Sequence, residues 1–385
     1  FYFAFTLMAL PSASLLEKIG YKNGIVIGLL VLVVGFLIYI PAAQSKLFWL
    51  FLIAQFVIGT SLTLLQTAAN PYVVKVGPIE SAAVRIMFMG LMNKGAGVIV
   101  PIVFTAIVIG DFSGVTATSL AAMSETERQQ TIDGLASGLV DPYIGMAIIF
   151  IILAGIMKKM SLPELDLDND DNGQDATLDV NGNDKTSIMQ FPSLILGALT
   201  IFVYVGAEVI AGDTIGTFAL SLGVENYTMM TSYTMICMVA GYILGIALIP
   251  KFISQQKALM VSAVIGLLLT AGIVFGDNNS FAIADAVLGG VELPDTLVMI
   301  AFLGFANAIV WPAVFPLALS GMGKLTSVGS ALLVMGISGG AFGPLFWSLS
   351  STTSMGEQGG YLVLIPCYLF ILFYAVKGCK MKSWN

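Results

Sequence analysis

Long apolar segments separated by short polar connections run the length of the chain. Eleven of them approach the roughly 17–25 residues that an α-helix needs to cross a bilayer. They fall at approximately residues 1–16, 25–43, 47–72, 84–109, 142–158, 191–220, 227–250, 257–276, 296–320, 326–349 and 359–377. This pattern predicts an all-α membrane protein. The first segment is partial, so we expect one further helix before residue 1, which would make twelve.

The composition supports a membrane protein and excludes several kinds of site. Of the 385 residues, 57% are hydrophobic and 10% are charged, whereas soluble domains carry about 25% charged residues. The chain contains no histidine, which removes histidine acid–base chemistry and the usual zinc sites. No second carboxylate is spaced to form a catalytic dyad. We therefore expect no enzyme, no metal site, no cofactor and no nucleic-acid partner.

Basic residues are concentrated in alternate connections. Thirteen lysine and arginine residues lie in every second loop and in the C-terminal tail, whereas the intervening loops hold only Lys46 and Arg128. Loops rich in basic residues face the cytoplasm. We therefore expect a cytoplasmic C-terminus.

The polar segment 158–190 separates five of these predicted helices from six. Two six-helix halves joined by a polar linker are typical of transporters built from parallel repeats. We predict an N-terminal bundle over residues 1–157 (spans 2–6) and a C-terminal bundle over 191–385 (spans 7–12). Within the acidic linker, residues 168–179 approach the spacing of a calcium-binding loop, but no amphipathic helices flank them. A solvated tether is the favoured interpretation.

Polar residues in the third segment, LTLLQTAANPYV, are candidates for substrate binding. Gln66 and Asn70 are four residues apart and share a helix face. Pro71 cannot donate its backbone hydrogen bond and frees a carbonyl one turn back. Amides both donate and accept hydrogen bonds, which suits sugar hydroxyls. The alternative is that these amides join helices to one another.

Three ionisable residues lie within predicted spans, where such groups are functional candidates. Lys94, next to Asn93, lies about two turns into its span and needs an acidic partner or a wet cavity, unless it reaches back to the cytoplasmic surface. Glu208 and Asp213 interrupt a glycine-containing helix. We expect Glu208 to be the best candidate for binding a coupling cation, with a structural role as partner of Lys94 as the alternative.

The segment GFANAIVWPAVFPLALSG carries a further candidate pair. Asn307 and Trp311 are four residues apart, and an aromatic ring beside amides suits a sugar, although ordinary packing is the alternative. Pro312 and Pro316 should bend this helix. In the next helix, glycines follow the small-xxx-small spacing of close helix packing, at Gly336, Gly339, Gly340 and Gly343.

Several of these stretches resemble one transporter family. LLQTAANPYV, SAAVRI and MNKGAG in the first half, with YVGAEV, GFANAIVWPAVFPLAL and GISGGAFGP in the second, resemble the glucose/galactose transporter group of the fucose–hexose symporter family. That family belongs to the major facilitator superfamily. The loop PSASLLEKIGYKNG resembles the superfamily's loop after the second helix, and its matching residues are candidates for gating together with Arg85: Glu17, Lys18, Gly20 and Lys22.

The resemblance implies a monomeric sugar symporter of the bacterial inner membrane that works by alternating access. In proton-coupled fucose transport a carboxylate precedes TAANP, and here that position is Gln66. Asn93 matches a polar sugar-contacting position, while Gly90 stands where that branch has an amide. We therefore expect hexose symport, with Na⁺ favoured modestly over H⁺. A fucose-type proton symporter, an uncoupled facilitator, a drug antiporter and a sugar sensor on the same fold are the alternatives.

Overall fold

The computed structural model describes residues 1–104, 123–161, 186–225, 227–289, 293–352 and 355–384. The calcium-like spacing at 168–179 therefore lies outside the described residues. Up to the linker, the described chain forms six α-helices, α1 to α6 in chain order. They are Tyr2–Ile19, Tyr21–Ser45, Phe48–Lys75, Ala82–Phe104, Glu125–Gly138 and Val140–Lys159.

After the linker the helices are shorter because four of the predicted spans are interrupted. The α-helices α7 to α17 are Pro192–Val209, Ile215–Ser221, Met230–Leu248, Gln255–Phe275, Ala282–Leu288, Asp295–Asn307, Val310–Leu319, Thr326–Met335, Gly339–Ser350, Gly356–Gly360 and Leu364–Val376. A π-helical turn, Ile210–Thr214, joins α7 to α8. Two 3-10 turns, Gly336–Ser338 and Tyr361–Val363, join α14 to α15 and α16 to α17.

The all-helical prediction is confirmed for the described part of the chain. Ten helical stretches there are long and apolar enough to cross a membrane. This outcome follows from the solvent, because a backbone in hydrocarbon must satisfy its own hydrogen bonds and a helix does so within one segment.

The described residues form two compact units. The first comprises residues 3–69 and 96–164 and the second comprises 70–95 and 165–385, with Phe1 in the first and Tyr2 in the second. Residues 70–95, the end of α3 and the start of α4, thus pack with the C-terminal helices. The predicted division of the chain at the linker 158–190 stays a prediction.

In the first unit, α2 packs along α6. The rings of Tyr39 and Tyr143 stack with centroids 4.6 Å apart, and Val26 and Leu29 pack against Ala154. The two helices are thereby joined over several turns. An apolar contact of this kind gains dispersion energy from close packing, since lipid is as apolar as the side chains themselves.

In the second unit, α4 and α9 interlock through paired glycines and large side chains. A Cβ on Gly90 would lie 2.7 Å from Cζ of Tyr242, and a Cβ on Gly245 would lie 2.5 Å from Sδ of Met87. Each large side chain therefore fills the space above a glycine of the other helix. Ala83 and Met238 extend the same buried cluster.

The predicted close packing of the GISGGAFG segment is confirmed. A Cβ on Gly339 would lie 1.8 Å from the carbonyl oxygen of Phe202, and one on Gly343 would lie 2.4 Å from that of Gly206. These glycines bring α15 against α7 at backbone distance. Any larger residue at Gly339 would push the helices apart.

Side chains from neighbouring helices satisfy the backbone where two spans are broken. At the π-turn, Thr231 and Thr234 of α9 donate to the carbonyls of Gly212 and Ala211 over 2.8 and 3.2 Å. Ser262 of α10 donates to a carbonyl at the end of α12 over 2.6 Å. Hydroxyls of this kind make irregular backbone tolerable at membrane depth.

An interruption between α12 and α13 divides the span 296–320, which Pro312 and Pro316 were predicted to bend. Its position follows from Pro312, which has no N–H to donate and whose ring crowds the carbonyl four residues earlier, at Ala308. The helix accordingly ends at Asn307 and resumes at Val310.

Candidate functional site

A partly buried ion pair in the second unit is the centre of the candidate site. Lys94 of α4 donates from Nζ to Oε1 of Glu208 at the end of α7. Their side chains remain only 19% and 14% exposed. The pairing gives Lys94 the acidic partner that its position in a span requires, and it agrees with the alternative that Glu208 is the structural partner of Lys94.

Three buried tyrosines interact with Glu208. Tyr204 lies one turn earlier on α7 and is placed to hydrogen-bond to the Glu208 carboxylate. Tyr242 of α9 and Tyr368 of α17 also interact electrostatically with Glu208. These phenols offer hydroxyl groups around a charge that would otherwise face apolar side chains.

Asp213 adds a second carboxylate to the same group. It lies in the π-turn, is exposed, and interacts electrostatically with both Glu208 and Lys94. One ammonium against two carboxylates leaves one negative charge formally uncompensated. The three predicted coupling residues therefore act on one another within a single unit.

Asn307 extends this group through Tyr368. It is fully buried, and its Oδ1 accepts a hydrogen bond from the Tyr368 hydroxyl over 2.9 Å. Its Nδ2 has no hydrogen-bond partner among the described residues. We call the set Lys94, Glu208, Tyr204, Tyr242, Tyr368 and Asn307 the polar layer.

Trp311 does not share a continuous helical face with Asn307. The prediction rested on four-residue spacing along one helix, but the interruption after Asn307 lies between the two residues. Trp311 is half-buried and packs at a tilt on Phe315, with ring centroids 5.3 Å apart. This contact is the ordinary packing that we considered as its alternative role.

The amides of α3 and α4 differ in their surroundings. Asn70 is 4% exposed, and its Nδ2 has no hydrogen-bond partner in the described ranges. Gln66 is half-buried on the preceding turn of α3, and Asn93 is exposed on α4. The helix α3 runs on through Pro71. The roles of these amides in binding stay predictions.

The loop-motif residues lie at helix ends. Gly20 connects α1 to α2 with φ 79° and ψ 162°, a conformation open essentially to glycine. Glu17 and Lys18 are exposed at the end of α1, and Lys22 is half-buried in the first turn of α2. The glycine therefore has a conformational reason for its place, whereas a role in gating stays a prediction for all four.

Arg85 joins the end of α3 to the start of α4. Its guanidinium donates to Ser81 Oγ over 2.7 Å. It also donates to four backbone carbonyls at 2.6–3.1 Å, those of Val73, Val74, Gly77 and Pro78. A guanidinium at the C-terminal end of a helix satisfies carbonyls that have no helical partner and complements the helix dipole. The predicted gating residue thus holds this helical hairpin together.

Sequence reasoning missed the tyrosines of the polar layer. Tyr204 had a signal, because it precedes Glu208 by four residues and so lies on the same face of α7. Tyr242 and Tyr368 had none, since each lies in an apolar helix far from Glu208 in sequence and interacts with it only in the folded protein.

Comparison with known proteins places the chain in a family. It is 31% identical to a glucose/galactose transporter of Brucella abortus over 388 residues, which covers 99% of this chain and 84% of that protein. It is 25% identical to the L-fucose-proton symporter of Escherichia coli over 384 residues, covering 97% and 82%. No protein-family model matches the chain.

Solved structures share the fold of this chain. A crystal structure of the E. coli fucose:proton symporter FucP matches with a TM-score of 0.81 and 22% identity, covering 100% of this chain and 89% of that one. A structure of the proton:xylose symporter XylE matches with a TM-score of 0.64 and 14% identity, covering 97% and 83%. The chain belongs to the fucose–hexose symporter family of the major facilitator superfamily, in its glucose/galactose transporter group.

Proposed function

We propose that the protein carries a hexose of the glucose/galactose type into the cytoplasm together with a monovalent cation. The chain is a multi-pass membrane protein of a sugar-transporter family, and its relatives are transporters rather than enzymes. The name of the relative that is 31% identical supports the hexose class. The bacterial inner membrane, the cytoplasmic C-terminus and a monomeric state belong to the same proposal.

The observation that carries the proposal is the Lys94–Glu208 ion pair within otherwise apolar spans. A buried ion pair is a weak source of stability, because desolvation offsets much of its attraction. Charges retained at membrane depth are typical of ion and substrate pathways. With Asp213, the group has one uncompensated negative charge that a single bound cation would offset.

Substrate recognition is proposed to use amides from both halves of the sequence. Asn70 and Asn307 each have a buried Nδ2 that a sugar oxygen would satisfy, and the proposed set also includes Gln66, Asn93 and Trp311. Leaving such a buried donor unpaired costs about 1–3 kcal/mol, so a hydroxylated substrate recovers energy that an apolar one does not. This difference favours a sugar over the apolar substrates of a drug antiporter.

The coupling cation is the part of the proposal that the comparisons alter. The earlier preference for Na⁺ finds no support, because the named symporter relatives are proton symporters. We therefore propose H⁺ as the coupling ion. An ion-replacement experiment would show whether Na⁺ takes its place.

Uptake into proteoliposomes tests the function and its coupling together. Labelled glucose and galactose should accumulate above equilibrium when the outside is acidic, and the Glu208→Gln variant should equilibrate sugar without accumulating it. Accumulation driven by a Na⁺ gradient at constant pH would replace H⁺ with Na⁺. Equal uptake with and without either gradient would contradict symport and leave a facilitator, while no saturable hexose uptake would contradict the proposed substrate class.

A further inference from the structure

Asn307 has one hydrogen-bonding atom that the described residues leave unused. The residue is 0% exposed, and its Nδ2 lacks a hydrogen-bond partner in the described part of the chain, although its Oδ1 has one. A fully buried donor prefers an acceptor, because the low dielectric penalises an unmet polar group. The residue also ends α12, at the interruption within the span 296–320. Broken helices in transporters often mark the binding site.

Tyr368 holds the Asn307 amide by its oxygen. Its hydroxyl donates to Oδ1 over 2.9 Å, so the opposite edge of the amide presents only N–H donors. The Tyr368 ring is itself fully buried and lies over Gly266, where a Cβ would come within 2.3 Å of Cε1. With its ring packed in this way, Tyr368 has little freedom to release the amide.

The same tyrosine connects the amide to the charged group. Tyr368 interacts electrostatically with both Glu208 and Tyr204. Asn307 is therefore hydrogen-bonded to a tyrosine that lies within electrostatic range of Glu208, the residue on which cation coupling is proposed to depend.

We propose that Asn307 Nδ2 donates to one hydroxyl oxygen of the transported hexose and that Tyr368 is the positioning residue that orients it. This inference rests on the proposed hexose transport. Because the amide edge donates, the sugar oxygen there must accept. Tyr368 thereby makes the site selective for a substrate with an acceptor at that ring position, without itself touching the sugar.

Deoxy and deoxyfluoro sugars test this direction of hydrogen bonding. In counterflow across proteoliposomes, labelled glucose would compete with unlabelled sugars. These are glucose, its four singly deoxygenated forms at C2, C3, C4 and C6, and the matching deoxyfluoro sugars. In the unsubstituted protein one deoxy position should weaken competition roughly 5-fold or more, the loss of about one hydrogen bond. The fluoro sugar at that position, which keeps an acceptor, should recover part of the loss.

Substitutions then assign that position to Asn307 and Tyr368. In the Asn307→Ala variant, glucose and the sensitive deoxy sugar should compete equally well with labelled glucose, because the variant lacks the amide donor. Tyr368→Phe keeps the ring but frees the amide, and it should reduce the discrimination to roughly 2-fold. Tyr374→Phe is the matched control, since it removes a fully buried hydroxyl from the same helix α17 outside the polar layer. The control should keep the discrimination of the unsubstituted protein.

Each remaining outcome contradicts a defined part of this reasoning. Discrimination that persists in Asn307→Ala, or an equal loss for all four deoxy sugars, would overturn the assignment of Asn307 while leaving hexose transport intact. If Tyr368→Phe discriminated between glucose and the deoxy sugar as strongly as Tyr374→Phe does, the positioning role of Tyr368 would be overturned. An unsubstituted protein that shows no counterflow of glucose or galactose would overturn the proposed function, and this inference with it.

Discussion

Removing one member of the Lys94–Glu208 pair should destabilise the protein far more than removing both. Lys94→Met leaves the Glu208 carboxylate without its ammonium, and breaking a buried pair in this way costs about 3–5 kcal/mol. Because the side chains keep 19% and 14% exposure, water can offset part of that cost. We expect a loss of about 2–4 kcal/mol in the free energy of unfolding.

The double variant Lys94→Met/Glu208→Gln should recover most of this loss. Its glutamine can still accept a hydrogen bond from Tyr204, and no charge remains to be desolvated. The double-mutant cycle should give a coupling energy of at least about 1.5 kcal/mol. Denaturant unfolding in mild detergent, followed by near-ultraviolet circular dichroism, measures all four proteins under identical conditions.

An exposed ion pair in the first unit provides the control. Lys46 and Asp133 also form a pair, but their side chains are 36% and 57% exposed. Lys46→Met should leave the unfolding transition unchanged within error, since exposed pairs contribute little. Losses from Lys94→Met and Glu208→Gln that simply add in the double variant would refute the reasoning, because they would show that the two charges do not stabilise one another.

Four further substitutions test the helix packing and the helix connections. Gly339→Ala should lower the free energy of unfolding by about 3 kcal/mol or more, because its Cβ would meet the carbonyl of Phe202. Gly155→Ala places its Cβ in open space, so it should be neutral or stabilising by up to about 1 kcal/mol. Gly20→Ala should cost about 1–3 kcal/mol through its backbone conformation. Arg85→Lys should cost roughly 2 kcal/mol, since an ammonium cannot reproduce the guanidinium's five hydrogen bonds.

The same unfolding measurement tests the three glycine substitutions, and amide hydrogen exchange adds a local test for Arg85→Lys. Equal effects of alanine at Gly339 and at Gly155 would contradict the backbone contact between α7 and α15. Unchanged stability of Gly20→Ala would mean that the α1–α2 connection relaxes to a different backbone conformation. For Arg85→Lys, amide hydrogen exchange at residues 73–81 should rise locally, and unchanged exchange would show that the hairpin does not depend on the guanidinium.

The spans were predictable because lipid leaves the backbone few choices. An apolar run of 20 residues must satisfy its own N–H and C=O groups, so its length and composition largely decide that it is a helix. The glycine spacing of α15 was readable for a related reason, since two helices can approach closely only where side chains are absent. Lys94 and Glu208 were recognisable as candidates because a charge in a span needs an explanation.

The details of the site were less predictable because they depend on contacts between distant residues. Tyr368 hydrogen-bonds to Asn307 across 61 positions of the sequence. The apolar sequence around Tyr368 does not indicate which distant residue it will contact. The interruption between Asn307 and Trp311 was not readable in the same way, because four-residue spacing implies a shared face only while the helix continues. The two proline residues indicated a bend, but the consequence for neighbouring side chains depended on where the helix stopped.

The contact between α7 and α15 also limits how Glu208 can move. Gly206 and Gly343 touch backbone to backbone only two residues before the carboxylate, and no side chain there can rearrange to let the helices slide. A shift of the α7 backbone toward α15 at this point would therefore bring Gly206 into steric conflict with Gly343. The helix that carries the acid thus has less room on this side than its apolar sequence suggests.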